Sequence, residues 1–166
     1  MKYHIDTIPV WDAYHQESEC PLCILHSNLE KNYVESLLGA SVMEPDTRIE
    51  VNRSGFCPQH FKLLYDAQNR LGLALLTHTH LKELINKFES HCKKVLKAAG
   101  QNKTSVIGSI FGRNKDFDAA LIELQNWITK QHSLCLICDR ISNTMNRYAY
   151  TILYLYDTDA DFKKTF

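Results

Sequence analysis

Two cysteine pairs and one Cys-x-x-His motif constrain this chain more than any other feature of its 166 residues. Cys20 and Cys23 form the first pair, and Cys57 and His60 follow after 33 intervening residues. Two residues between ligands allow one tight turn to direct both side chains at the same point, and zinc prefers four such thiolate and imidazole ligands in a tetrahedron. The spacing therefore predicts a structural zinc site, with iron as the alternative metal. Its predicted ligands are Cys20, Cys23, Cys57 and His60.

The second cysteine pair, Cys135 and Cys138, has no Cys-x-x-His after it in the sequence. This pair is expected to be the empty half of a second metal site. His132, three residues before Cys135, is the candidate for a substitute ligand. A site that uses His91 and Cys92 is the other alternative that the sequence leaves open.

An internal repeat contains the two cysteine pairs, because residues 20–51 and 135–166 align without a gap at an offset of 115 residues. Seven of the 32 aligned positions are identical, namely Cys20/Cys135, Cys23/Cys138, Ser27/Ser142, Asn28/Asn143, Tyr33/Tyr148, Leu38/Leu153 and Asp46/Asp161. Phe166 is then the counterpart of Val51. A true duplication predicts that the natural gene continues past Phe166 to a second Cys-x-x-His, about 115 residues after the first.

Apolar residues recur at intervals of three and four through most of the chain, which is the spacing of one face of a helix. Leu73, Leu76, Leu84 and Phe88 belong to the longest such stripe. The sequence offers no convincing pair of strands. It therefore predicts an all-α protein, a helical bundle with a structural zinc site. Its predicted parts are a zinc-binding helical module over residues 1–99, a basic glycine-containing linker over 100–115 and a truncated second copy over 116–166.

The charge of the chain is zero overall, with 19 basic and 19 acidic side chains, but its middle is basic. Residues 82–115 contain eight basic and two acidic side chains. Nucleic-acid binding by this stretch is the less favoured hypothesis, because it lacks interleaved aromatic residues and clustered arginines. A solvated helix end followed by a linker explains the same charges.

The sequence favours a protein of the reducing cytoplasm. It has no run of about 18 apolar residues and no signal-peptide core at its N-terminus, so we expect no membrane-spanning segment. Paired cysteine spacings in such a compartment favour metal binding over a disulfide framework. A thioredoxin-like redox centre at Cys20 and Cys23 is disfavoured, because that fold needs alternating strands and helices.

Four protein ligands would close the coordination shell of a zinc ion and leave no water to activate. The leading hypothesis is therefore a non-enzymatic, zinc-stabilised interaction or regulatory module that acts through a protein partner. A metal-dependent enzyme with an open coordination position near His80 or Glu83 is the alternative.

A truncated second module would leave part of its last helix uncovered. The tyrosine-rich face of that helix contains Tyr148, Tyr150, Tyr154 and Tyr156. Exposed apolar patches promote self-association. Residues 139–156 are therefore expected to form a contact between copies of the chain.

Four segments together resemble an uncharacterised family of clostridial and related bacterial proteins, and these are Thr7–Tyr14, Glu19–Cys23, Gly55–Phe61 and Leu71–Leu75. The resemblance spans the chain and implies two tandem modules, each with a Cys-Pro-x-Cys and a Phe-Cys-x-x-His motif. The family has no known function, so the resemblance implies no activity. The chain departs from the pattern at Leu136, where the motif usually has proline, and it lacks the second Cys-x-x-His. Only Cys135 and Cys138 therefore carry over to a second site.

Overall fold

The computed structural model describes residues 5–100 and 115–166, which form helices and the turns between them. In chain order these are α1 (Thr7–Tyr14), α2 (Pro21–Leu38), α3 (Pro45–Ser54), α4 (Pro58–Asp66), α5 (Arg70–Gly100), α6 (Lys115–Ser133), α7 (Leu136–Thr158) and α8 (Ala160–Lys163), with a 3-10 turn at Ala40–Met43. No strand occurs within these two ranges. The prediction of an all-α fold is confirmed.

The cysteine motifs lie at the starts of helices. A proline is the first residue of α2, α3 and α4, where its missing N–H is harmless and its fixed φ already suits a helix. Cys20, Cys57 and Cys135 are the residues immediately before α2, α4 and α7. Backbone N–H groups and the helix dipole favour a thiolate at such positions. Each motif therefore lies at a helix end that favours a negatively charged group.

Helices α2 and α7 pack against each other and supply most of the core. Their buried apolar residues recur at helical intervals and are Leu25, Leu29, Val34, Leu37 and Leu38 from α2, and Leu136, Ile137, Ile141, Tyr148, Ile152 and Leu155 from α7. Helix α1 packs on both of them through Val10 and Ala13. Phe162 of α8 is fully buried and meets the ring of Trp11 edge-on. Helices from both ends of the chain therefore share one core.

Helix α5 packs on α3 with its first half and on α6 with its second half. Leu73 and Leu76 near its start are buried in the core, whereas α6 has no buried residue. The ring of Trp127 on α6 lies 6.2 Å from that of Phe88 and 5.0 Å from that of His91. Of the helices that the structure describes, α5 included, none is long and apolar enough to cross a membrane.

The predicted linker over residues 100–115 falls almost entirely outside the described residues, since 101–114 are not among them. The division of the chain into modules 1–99 and 116–166 stays a prediction. The two predicted modules are in contact, because α2 from residues 1–99 packs against α7 from residues 116–166.

Candidate metal centre

A turn at Gly55 brings the start of α4 to the start of α7. The backbone N–H of Leu136 donates to the carbonyl oxygen of Gly55 over 3.0 Å. Gly55 has φ 61° and ψ −154°, a backbone conformation open almost only to glycine. A Cβ atom at Gly55 would lie 2.6 Å from Nε2 of His80. Both the backbone conformation and the space at this turn therefore require glycine, and the turn places Cys57 beside Cys135.

Four potential metal ligands converge at this junction: Cys57, His60, Cys135 and Cys138, whose donor atoms all lie within 4.8 Å of one another. Nδ1 of His60 is 3.2 Å from the sulfur of Cys57 and 3.3 Å from each of the other two sulfurs. The sulfurs of Cys57 and Cys138 are 3.9 Å apart. Tetrahedral zinc with ordinary bond lengths separates its ligands by about 3.6–3.8 Å. The spacing of the group is therefore close to what a tetrahedral ion requires.

The group is buried on one side and open on the other. Cys135 and His60 are buried, Cys57 is half-buried and Cys138 is exposed. Cys135 immediately precedes α7 and His60 lies in the first turn of α4, while Cys138 is three residues after Cys135 in α7. An ion could therefore enter from the solvent side without opening the core.

Glu30 supports the histidine from the side opposite the sulfurs. Its Oε1 lies 3.1 Å from Nε2 of His60, while Nδ1 of the same ring faces the three cysteines. A carboxylate that accepts from the second ring nitrogen fixes the orientation and tautomer of a metal-binding histidine. Glu30 on α2 therefore completes the arrangement that a ligating imidazole needs.

The surroundings of the donor group shift the pKa values of two of its thiols in opposite directions. Partial desolvation of the sulfur, followed by hydrogen bonding and charge from Cys135 and Cys57, raises the pKa of the Cys138 thiol to about 12. Burial also raises the pKa of Cys57, but hydrogen bonds from the backbone N–H of His60 and from the neighbouring thiols outweigh it, and its net pKa is lowered. A coordinated cation removes this conflict, because it deprotonates the thiols that bind it.

The structure groups the donor residues differently from the ligand set expected from sequence. Cys57 and His60 belong to the group as predicted, but Cys20 and Cys23 do not; these two are joined by a disulfide at the N-terminus of α2. The physical reason is the packing of the helices, because the turn at Gly55 is bonded to the start of α7 rather than to the start of α2. Motif spacing alone is the same for either cysteine pair and cannot distinguish them.

Cys135 and Cys138 also differ from expectation, because within this chain they meet two further donors instead of forming an empty half-site. The pair therefore has donors to meet without a later Cys-x-x-His. His132, the expected substitute ligand, lies outside the group and lines a groove of about 470 Å³ together with Cys57 and His80.

The other candidate residues, His91, Cys92, His80 and Glu83, lie outside the donor group. His91 stacks near Trp127, and the neighbouring Cys92 is a free thiol outside the group. His80 has Nδ1 3.2 Å from the backbone oxygen of Asn52, and the amide of Asn52 donates to Glu83 over 2.9 Å. These contacts tie His80 and Glu83 to α3 rather than to the metal-binding group.

Several lysines of the predicted basic stretch are paired with carboxylates. Lys94 lies 2.6 Å from Glu123 of α6, and Lys93 lies 3.7 Å from Glu89 on its own helix. The rest of the stretch beyond residue 100 lies outside the described residues except for Lys115. The described part is therefore a mixed-charge helix surface rather than a purely basic one.

Glu30, which contacts the donor group through His60, was not indicated by the sequence. It lies 30 residues from His60 and belongs to no motif. Its helical position, a few residues after Leu25 and Leu29 on the packed helix α2, gave no signal of its own. Only the packing of α2 on α4 brings its carboxylate to the histidine.

Fold and site together define an all-helical protein with a Cys₃His donor group that can hold a metal ion. The chain belongs to a family of unknown function, DUF6062, which matches residues 1–166. No curated protein and no solved structure matches the chain. The clostridial origin and the tandem modules expected from the sequence remain predictions.

Proposed function

We propose that this protein is a zinc-stabilised, non-enzymatic interaction module, in which one zinc ion is bound by Cys57, His60, Cys135 and Cys138. The observation that carries the proposal is the convergence of four donor atoms from two helix N-termini. Three thiolates and one imidazole, with no carboxylate ligand, are a donor set that structural zinc sites use. Four protein ligands leave no coordination position for a reacting water.

The position of the ligands in the chain supports a structural role for the ion. His60 is separated from Cys135 by 75 residues and from Cys138 by 78 residues. Binding one ion to both segments therefore fastens the start of α4 to the start of α7 across the whole middle of the chain. In such sites the free energy of metal binding contributes directly to folding. The thiolates must stay reduced, which is consistent with a cytoplasmic location.

Metal analysis of the reduced, purified protein tests this proposal. We expect one zinc ion per chain, and Co²⁺ in its place should show the absorption of a tetrahedral thiolate site. Cys135→Ser should abolish stoichiometric binding and lower the melting temperature. Cys92→Ser is the matched control, because Cys92 is a free thiol outside the group.

A chain that contains no metal, or that loses metal equally in both variants, contradicts the proposal. Addition of a strong chelator provides a second measurement. It should lower the melting temperature of the parent protein and of Cys92→Ser, and it should leave Cys135→Ser unchanged.

A metal-dependent enzyme is the second candidate, and one observation favours it. The groove beside Cys57 is lined by the imidazoles of His80 and His132 and reaches the edge of the donor group. The four donors of the group would fill a tetrahedral shell, however, and the side chain of Glu83 accepts a hydrogen bond from Asn52. Azide or imidazole added to the Co²⁺ protein distinguishes the two, since only an open coordination position changes its spectrum.

Nucleic-acid binding through residues 82–115 is a third candidate with weaker support, because described lysines of this stretch pair with Glu89 and Glu123. Binding to duplex DNA or RNA at low salt that weakens steeply as salt increases would support it. Weak binding that is unaffected by Lys93→Gln and Lys97→Gln would exclude it.

A further inference from the structure

We propose that Cys20 and Cys23, when reduced, form half of a second metal site, which is completed by a partner segment that begins a helix with Cys-x-x-His. The inference rests on the proposed function, because it takes the group at Cys57 and Cys135 as the template of a metal site. It concerns a different pair of sulfurs, at the N-terminus of α2.

The first observation is that the first site joins the segment after the first copy of the repeat to the second copy. Its Cys-x-x-His, Cys57 and His60, follows residues 20–51, and its cysteine pair, Cys135 and Cys138, begins the second copy. Cys20 and Cys23 are the counterparts of that cysteine pair at the offset of 115 residues. If the pairing is reciprocal, they should meet a Cys-x-x-His from a second segment.

The second observation concerns the symmetry of the two long core helices. Tyr33 on α2 and Tyr148 on α7 are counterparts in the repeat, and Tyr33 packs against the core to which Tyr148 belongs. Burial first, and then the charges of Asp6 and Tyr33, raise the pKa of Tyr148. The hydroxyl of Tyr33 also lies 2.7 Å from that of Thr144. Counterparts that meet near one point are expected when an approximate two-fold axis passes between α2 and α7.

The third observation is that the counterpart of a covered surface is open. Ile137 near the start of α7 is 0% exposed, whereas its counterpart Leu22 on α2 is 45% exposed. Leu38 at the end of α2 is 5% exposed, whereas its counterpart Leu153 on α7 is 70% exposed. The start of α7 and the end of α2 are therefore covered, whereas the start of α2 and the end of α7, which the two-fold relation makes equivalent to them, are exposed.

One segment accounts for both of the covered positions. Gly55 accepts the bond from Leu136 at the start of α7, and Asn69 donates its side-chain amide to the carbonyl oxygen of Leu38 at the end of α2. Residues 55–72 thus form hydrogen bonds with the backbone at both helix ends and also carry the Cys-x-x-His motif. An equivalent segment would cover Leu22 and Leu153 and would bring its own cysteine and histidine to Cys20 and Cys23.

The chemistry of the first pair suits this role. Cys20 immediately precedes α2, as Cys135 immediately precedes α7, and its sulfur accepts from the backbone N–H of Cys23 over 3.2 Å. Two thiolates at one helix turn supply half of a tetrahedral zinc shell. The partner segment must therefore supply two metal ligands to Cys20 and Cys23 and apolar side chains to the surface beside them. A helix like α4, with a cysteine and a histidine at its start, meets both requirements.

The experiment uses the chain itself as the source of the probe. Because Phe166 is the counterpart of Val51, a copy of residues 52–72 is appended after Phe166 in the register that the repeat requires. A phosphine reductant and one water molecule cleave the Cys20–Cys23 disulfide to two thiols, with water supplying the two protons and the oxygen of the phosphine oxide that forms. Co²⁺ is then titrated into the original and the extended chains under identical conditions.

We expect one equivalent of tightly bound Co²⁺ in the original chain and two in the extended chain. The double variant Cys20→Ser, Cys23→Ser should return the extended chain to one equivalent and leave the original chain unchanged. An extension whose own cysteine and histidine are replaced by serine and alanine is the matched control. It should also bind one equivalent.

Other outcomes overturn the inference. An extended chain that binds one equivalent contradicts it, as does a second equivalent that survives the double variant. Two equivalents in the original chain would show that no added segment is needed. If the extended chain does not fold, a synthetic peptide of residues 52–72 is added to the original chain with Zn²⁺, and failure to protect Cys20 and Cys23 from alkylation contradicts the inference. An original chain that binds no Co²⁺ contradicts the proposed function instead.

Discussion

The Nε2 atom of His60 lies 3.1 Å from Oε1 of Glu30, and the Nδ1 atom of the same ring faces the sulfurs of three cysteines. The imidazole is buried, so it has no water shell to satisfy its second nitrogen. When Glu30 accepts a hydrogen bond from Nε2, Nδ1 carries the free electron pair of the ring. This is the protonation state in which histidine binds a metal.

Replacing Glu30 should weaken metal binding without removing any ligand. We expect Glu30→Gln to retain part of the affinity and Glu30→Ala to lower it about 10–100-fold, the usual effect of losing such a supporting carboxylate. Competition between the protein and a coloured chelator for Zn²⁺ measures the change. Glu35→Gln is the control, because Glu35 is exposed on the same helix and pairs only loosely with Lys31. Equal affinities for the variants of Glu30 and Glu35 would remove Glu30 from the site.

Gly55 should tolerate no other residue. Gly55→Ala places a side chain in a glycine-only backbone conformation and against the ring of His80. We expect a loss of about 1–3 kcal/mol in the free energy of unfolding, measured by urea denaturation. Adding His80→Ala should recover the steric part of that loss but not the backbone part.

Gly100→Ala is the matched control for Gly55, because a Cβ atom at Gly100 would meet no atom within 4 Å. Gly100 lies at the end of α5, and its replacement should change the free energy of unfolding by less than about 1 kcal/mol. A similar loss at both glycines would show that the turn at Gly55 is not special.

Phe162 should contribute more to stability than its place near the end of the chain suggests. Its side chain is fully buried, and its ring centroid lies 4.9 Å from those of Trp11 and Tyr14. Phe162→Ala should therefore cost about 3–5 kcal/mol in urea denaturation, since it removes a large core side chain and leaves a cavity. Tyr150→Ala, on the exposed face of α7, should change stability little. A loss below about 1 kcal/mol for Phe162→Ala would mean that α8 is not part of the core.

The exposed face of α7 should allow copies of the chain to associate. Tyr150, Leu153 and Tyr154 are all more than half exposed, whereas Tyr148, predicted to share this face, is buried in the core. Sedimentation of the chain over a range of concentrations should show association, because apolar patches are buried when copies meet. Leu153→Glu should reduce it, while Glu89→Gln on α5 should not. A monomer at all concentrations would contradict the prediction for residues 139–156.

Sequence patterns predicted the helices because their signals are local. The apolar stripe with Leu73 and Leu76 was predicted to be helical, and both residues are buried in α5. The prolines after Cys20 and Cys57 stand at the first positions of α2 and α4. Helical periodicity and helix starts depend on neighbours within a few residues, and such information is contained in the sequence.

The sequence by itself determined which residues can bind a metal, because thiol and imidazole side chains at a spacing of three are chemically suited to it wherever they lie. It did not determine which cysteine pair meets Cys57 and His60. That choice depends on the packing of α7 against the turn at Gly55, and the contact of Glu30 with His60 depends on the packing of α2 on α4. Both are contacts between residues 30 to 81 positions apart. Only the tertiary structure decides such contacts, because motif spacing carries no information about which distant helices pack together.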